Sequence, residues 1–245
     1  MAQQNGNGLP GIGTTRTATP RHILVGDAAK AEYVPGGRMI AGASSRDPLN
    51  TGDLDVLRAG MVMGKITSGG KYAPSILGVL PSAHDSDGTT KTTLTVSPAT
   101  AVEINRRIGV SGTFNLVGPP DAGGIIASTT VTFSAVNVTT GVLTISDIAV
   151  DKVAGSFITP TDGSEVPLGL LNETYGVKVT DRDAVAIDVQ MPRLLVGGMI
   201  DTTQIINAPT DVSLLRWLKS SLNARLAAAQ ITFAVGGAFL FDDTY

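Results

Sequence analysis

Between Leu57 and Leu80 the chain reads LRAGMVMGKITSGGKYAPSILGVL, and this stretch limits what the rest can fold into. An apolar run, Met61-Val62-Met63, continues through Gly64-Lys65-Ile66-Thr67 and breaks at Ser68-Gly69-Gly70. It resumes at Lys71-Tyr72, ahead of a second apolar run from Ile76 to Leu80. Strand, glycine turn, strand is the reading that this punctuation dictates. Between Arg58 and Leu80 there is no histidine, cysteine or carboxylate, so the stretch suits a surface-forming β unit better than an active site.

Composition points the same way. Glycine supplies 29 of 245 residues and charged residues only 16%, against usual values of about 7% and about 25%. Such a chain is rich in turns and leans to β structure. Its length suffices for one large β domain or two smaller ones, burying roughly 70% of the extended-chain surface. Without cysteine it has no disulfide, no thiolate metal site and no cysteine nucleophile. A net charge of −3 removes the clustered Lys and Arg that release counterions from phosphates, so nucleic acid is not an expected partner. No apolar run approaches the ~18 residues of a membrane span, and MAQQNGNGLP lacks the basic and apolar regions of a signal peptide. Synthesis in the cytoplasm with no visible export route, and no membrane partner, is the expectation.

Taken in order, residues 1–25 form an arm. The first twenty show no period of 2 or 3.6, and their literal G-x-G-x-x-G at Gly6, Gly8 and Gly11 has no preceding strand and contains Pro10, so dinucleotide binding does not follow. The arm ends in Pro20-Arg21-His22-Ile23-Leu24-Val25, whose apolar run suits strand addition to the edge of a sheet. From Gly26 to Asp55 turn residues dominate, and a loop of this length is functional or laid across another surface.

Turn clusters at Asp85-Ser86-Asp87-Gly88 and Pro160-Thr161-Asp162-Gly163 bracket a separate unit, 91–158. Within it Ser97 reads as an N-cap, Pro98 as the first helical position, Arg106 and Arg107 as the last turn and Gly109 as the residue beyond, although Val102 and Ile104 would equally serve a strand. A hairpin follows, with Val131, Phe133 and Ala135 facing one way, a turn from Asn137 to Gly141, and Leu143 and Ile145 returning on the same face. Spliced into a surface connection, this unit should project outward. Beyond it, Val177, Val179, Val185, Ile187 and Val189 are strand material.

A helix is predicted over Asp211 to Ala229, with Thr210 as N-cap. At about 100° per residue its leucines cover an arc of about 120°, and Trp217 and Ala224 widen that toward about 180°. So wide an arc makes Leu214, Trp217, Leu218 and Leu222 candidates for a subunit interface, while a helix half sunk in its own domain fits the pattern equally. Arg225 falls inside the arc and must snorkel or find a carboxylate.

Catalytic and metal-binding groups are scarce. His84, beside Ser82, Asp85 and Ser86, offers the vocabulary of a triad without its geometry, and its turn-forming setting predicts a solvated loop histidine. Asp85, Asp87 and Asp162 fall short of the ligand set and spacing of a calcium loop. Asn137-Val138-Thr139 and Asn172-Glu173-Thr174 match the glycosylation pattern but read as turn and strand-end residues. The residues therefore suggest no catalytic, cofactor-binding or metal-binding site.

Several blocks together carry a family resemblance. Leu57-x-Ala59-Gly60-x-Val62-x-Gly64-Lys65-Ile66-Thr67, then Gly70-Lys71-Tyr72, resembles the opening β segment of the lambda-type phage head decoration proteins. Asp162-Gly163-Ser164 with Pro167-Leu168-Gly169-Leu170-Leu171 is similar to the Asp-Gly-Ser and Gly-Ile-Leu pattern that follows directly in that family, and Ala184 to Val189 and Gly198-Met199-Ile200 continue the match. About half the chain is covered, in two pieces. The resemblance implies a mainly β (α+β) fold, a β-tulip-like decoration domain over 26–90 and 159–245 with one C-terminal helix, carrying 91–158 as a β-rich insert. It further implies a non-enzymatic homotrimer on the outer capsid surface of the virion, assembled in the host cytoplasm and bound to the major capsid protein. In that setting residues 20–25 become a capsid-binding arm and the insert a possible holder of a host-surface ligand. Two rivals come from other classes: a free adhesion module, which would need an aromatic platform where the insert offers Phe114, Phe133 and Phe157, and a hydrolase built on His84.

Overall fold

The computed structural model describes residues 22–25, 31–50, 53–84, 92–120, 126–146, 148, 151–176, 187–207, 215, 216, 218, 219, 222 and 239–242. Its strands are β1 (Glu32–Ile40), β2 (Val56–Leu57), β3 (Val62–Lys65), β4 (Tyr72–Pro74), β5 (Gly78–Val79), β6 (Thr93–Thr95) and β7 (Gly112–Pro120). They continue with β8 (Ile126–Asn137), β9 (Val142–Ile145), β10 (Phe157–Thr159), β11 (Pro167–Leu170), β12 (Tyr175–Gly176), β13 (Val189–Asp201) and β14 (Phe239–Asp242). The fold is mainly β. One complete α-helix, α1 (Pro98–Arg107), lies among the described residues, and Leu215, Arg216, Leu218, Lys219 and Leu222 are also helical.

The Gly-rich stretch folds as its punctuation predicts. β3 and β4 pair antiparallel, Met63 with Pro74 and Lys65 with Tyr72, across a turn in which Gly69 (φ 85°) and Gly70 (φ 66°) take up a backbone that other residues avoid. That hairpin belongs to a ring of strands. β1, β4, β3, β11 and β13 pair in that order, and β13 pairs back to β1 along most of its length, closing the ring. Closure leaves few free edges.

Both faces of the ring are buried. Met61 and Met63 join Val34, Ile40, Tyr72, Leu194 and Val196 in one apolar cluster, while Val62 turns to the other face with Leu170, Leu195 and Ile200. This two-sided burial explains why Met61-Val62-Met63 and Leu194-Leu195-Val196 are unbroken apolar runs and do not alternate.

The second sheet runs β5-β10-β7-β8-β9-β6. It includes β5, which precedes residue 91, and β10, which spans the second expected boundary. Phe114, Leu116, Val131, Phe133, Leu143 and Ile145 line one of its faces, with Ala101 and Ile104 of α1 packed on them. Its other face is not free of apolar residues either. Val117 and Phe157 join the ring's cluster with Val62, Leu170 and Leu195, so the inserted sheet is packed against the ring as well as spliced into it. One detail of the predicted hairpin fails: Ala135 is exposed and Val136 partly buried, because the β8–β9 register slips between Phe133 and Ala135 and exchanges the two faces. The Asn137 to Gly141 turn forms as expected, with the Asn137 Oδ1 accepting from the amides of Thr139 and Thr140.

The hairpin approaches the β10–β11 connection so closely that a Cβ on Gly64 would lie 2.0 Å from the Ser164 carbonyl oxygen. Gly64→Ala should therefore lower stability by ~1–3 kcal/mol through forced separation of β3 and β11, read from the urea midpoint. Gly69→Ala meets nothing within 4 Å and carries only its backbone strain, so a greater loss there than at Gly64 would refute the packing argument.

Candidate functional site

A chain with so few charges places several of them at the junction of the two sheets. Helix α1 starts as predicted: the Ser97 side chain accepts from the Thr100 amide at 3.1 Å, and Pro98 occupies the first turn. Its last turn holds Arg106 and Arg107, which do more there than complement the helix dipole. Arg106 pairs with Glu103 one turn back at 2.6 Å and donates to the Ala43 carbonyl. Arg107, its side chain 1% exposed, donates to the Pro74 carbonyl at the end of β4, to the Ser164 hydroxyl, and to the Asp162 carboxylate at 3.1 Å. The Ser164 hydroxyl in turn donates to Asp162 Oδ1 at 2.5 Å, so guanidinium, hydroxyl and carboxylate form a closed set.

The two partners are not equivalent. Burial pulls the Arg107 guanidinium below its ordinary value, with Asp162 opposing that shift. At Asp162 burial pushes upward, but Arg107 and the bonds from Ser164 together outweigh it and hold the carboxyl below the usual aspartate value. Asp162, one of the three aspartates considered for calcium, is thus engaged by an arginine. Asp85 and Asp87 lie outside the described residues.

A second polar frame shapes the loop after β1. Asp47 is fully buried, and Arg58 forks onto it at 2.5 and 3.0 Å. Asp47 Oδ1 also accepts from the Leu49 amide, and the Asn50 side chain donates to the carbonyls of Asp53 and Val56. The frame ties residues 47–50 to residues 53–58, and Leu49 and Leu54 are exposed. Nearby, the Asp188 carboxylate accepts from Lys71 at 2.5 Å and from the Gly42 amide at 3.1 Å. Lys71 lowers the Asp188 pKa through that bond, against a smaller opposing effect of burial.

Of the six arm residues, Pro20 and Arg21 lie outside the described residues, and His22 is exposed. Ile23, Leu24 and Val25 do add to a sheet edge, that of the chain's own β13. The Asp201 amide donates to the Ile23 carbonyl at 3.0 Å, the Val25 amide donates to the Met199 carbonyl at 2.9 Å, and Ile23 is buried. Leu218 and Leu222 are fully buried in the same cluster as Ile23, Leu195 and Ile200. Leu214 and Trp217 lie outside the described residues, as do residues 177–186 and Gly6, Gly8 and Gly11.

His84 departs from expectation. It is only 7% exposed and forms a paired backbone bridge with Lys152, N to O at 2.7 and 2.8 Å, so it is held in an isolated two-residue bridge and is not a solvated loop histidine. Lys152 itself is buried, and burial lowers its pKa. Sequence reading missed both, because the strand partner of each lies far along the chain. It also missed the Arg58–Asp47 fork, because the loop carries Arg46, Asp47, Asp53 and Asp55 and nothing local selects which of them Arg58 meets. Asn172 donates from Nδ2 to the Tyr33 hydroxyl at 2.9 Å. Phe114, Phe133 and Phe157 are all core residues. No family model, no curated protein and no solved structure matches the chain.

The two kinds of ion pair should respond differently to truncation. Asp47→Ala leaves a nearly buried guanidinium without its carboxylate and should cost ~3–5 kcal/mol. Lys71→Ala, in a pair whose side chains are 44% and 36% exposed, should stay within about 1 kcal/mol. Urea unfolding of both variants checks this, and comparable losses would contradict the assignment.

Proposed function

We propose that this protein is a phage capsid decoration protein of the lambda type, a structural trimer that cements the expanded head from outside. The observation that carries the reading is the meeting of two separated blocks. In the family that the sequence resembles, the Gly-Lys-Ile-Thr segment is followed directly by Asp-Gly-Ser and Gly-Ile-Leu. Here a whole sheet intervenes, yet the blocks lie side by side: the Thr67 amide donates to the Asp162 carbonyl at 2.8 Å, Gly64 sits under Ser164, and β3 pairs with β11. No strand pairing of the ring runs through the intervening sheet, as a family domain carrying an insert requires.

Cementing needs added interface and no reaction. A trimer that contacts several capsid subunits at once cannot leave by losing one contact, so avidity multiplies modest interfaces and opposes the outward pressure of packaged DNA. The major capsid protein is the partner, and the virion surface is the place of action. The helix around Leu218 would serve packing within the protomer first, and a neighbour would meet its remaining side. The adhesion reading of the insert loses its discriminating feature, because the three phenylalanines that could have formed a platform are in the core.

Light scattering should give the mass of a trimer, and the same sample should bind undecorated expanded heads and raise their resistance to heat. A monomer that ignores heads would refute the proposal. Because Ile23 is a core residue, the arm is best tested by removing residues 1–21 alone. The truncated protein should keep its fold and trimer mass and bind heads at least ~10-fold more weakly, a loss of about 1.4 kcal/mol. Unchanged affinity would remove the arm from the capsid contact and leave the rest of the proposal standing.

A further inference from the structure

We propose that the last turn of α1 is an acid-releasable clamp: Arg107, seated on Asp162, Ser164 and the Pro74 carbonyl, holds the helix of the inserted sheet to the ring, and protonation of Asp162 opens that helix locally while the ring stays folded. This inference rests on the geometry of the junction and does not depend on the capsid reading.

Helix α1 is attached differently at its two sides. Ala101 and Ile104 root it in the apolar face of the second sheet, and Thr100 lies against Gly78 of β5. Toward the ring it makes polar contacts, Arg107 to Pro74, Asp162 and Ser164 and Arg106 to Ala43. The Asp-Gly-Ser turn that receives Arg107 is fixed to the β3–β4 hairpin through the Thr67 amide and the close approach of Gly64 to Ser164. The clamp therefore joins the inserted unit to the ring at a rigid seat.

The charges at the seat are few. Arg107 faces Asp162, with Arg106 and Glu103 beside it on α1 and already paired to each other. Glu165, in the same turn as Asp162, accepts from the Gly163 amide at 2.6 Å. Lys65 presents its main-chain oxygen to Gly163 and carries its ammonium toward Gly70. Asp162 is thus the carboxylate that neutralises Arg107. A guanidinium cannot give up its proton. Once Asp162 is neutral, Arg107 is a nearly buried cation that keeps hydrogen-bond acceptors at the seat but has lost its counter-charge there, and leaving the seat for water relieves it. Because the folded state holds Asp162 below 3.8, the clamp is at full strength above the ordinary aspartate pKa and is lost as pH falls through that depressed value.

Asp162→Asn places the neutral state at pH 7. Hydrogen exchange should then be on the order of 100-fold faster in α1, read at the Ile108 amide that bonds to Ile104, with ring amides such as Leu171 unchanged. In the unaltered protein an acid titration followed by NMR should move α1 resonances before those of the ring. The double variant Arg107→Met with Asp162→Leu removes both charges and should restore slow exchange in α1 and abolish the acid step. Three results would overturn the proposal: α1 protection unchanged in Asp162→Asn, α1 and ring losing protection together, or an acid step that persists in the double variant.

Discussion

The ring is arranged on β13. A thirteen-residue strand placed inside a protein has two edges of backbone donors and acceptors and two faces of side chains to satisfy, and an unpaired buried amide costs about as much as a lost hydrogen bond. β13 meets all four demands with other parts of its own chain. One edge takes β1 and, beyond it, Ile23 to Val25; the other takes β11 and then β14 running parallel. Its faces divide Met191, Leu194 and Val196 from Leu195 and Ile200, and each set reaches a different cluster. Each remaining strand of the ring then has a position determined by its pairing with a neighbour.

Scarce charge changes what ion pairs do. In a surface studded with Lys and Glu most pairs are solvated and contribute little. Here Asp47 and Arg107 are withdrawn almost completely from water, and each is met by a partner with matching geometry. Such pairs add little net stability over apolar residues of the same shape, but losing one partner is costly. They consequently act as registration devices. Arg58 and Asp47 tie the start of one loop to the residue just after the strand that follows it, and Arg107 and Asp162 fix the seat of one helix.

What the sequence revealed and what it hid follow from the range of the interactions involved. The β3–β4 hairpin, the limits of α1 from Ser97 to Arg107 and the Asn137 turn were legible because their signals, glycine at a turn, a capping hydroxyl and an Asx bond, act within a few residues. The burial of His84 was hidden because its partner, Lys152, is distant in sequence. Ala135 was misplaced by a single register slip, which no local pattern announces and which exchanges the faces of every residue after it. The Arg107 seat shows both limits at once. Its position in the last turn could be read, whereas the three groups that receive it come from two other segments of chain.

A sheet as large as the second one can interrupt a closed ring because of how it is entered and left. β5 carries the chain into the insertion and β10 carries it out, and the two pair antiparallel, Val79 with Phe157 and Gly78 with Ile158. The ends of the excursion are thus held side by side, and ring closure experiences a short connection whatever lies beyond. The entropy of closing a loop grows only with the logarithm of its length, and here even that cost is offset by the pairing of β5 with β10. The cores remain distinct where they need to be, Phe114 and Phe133 in one and Met63 and Leu194 in the other, while Phe157 sits on the exit strand and packs into the ring. That residue belongs to both units at once, so the inserted sheet has a fixed bearing on the ring, and α1 can reach the Asp-Gly-Ser turn from a defined direction.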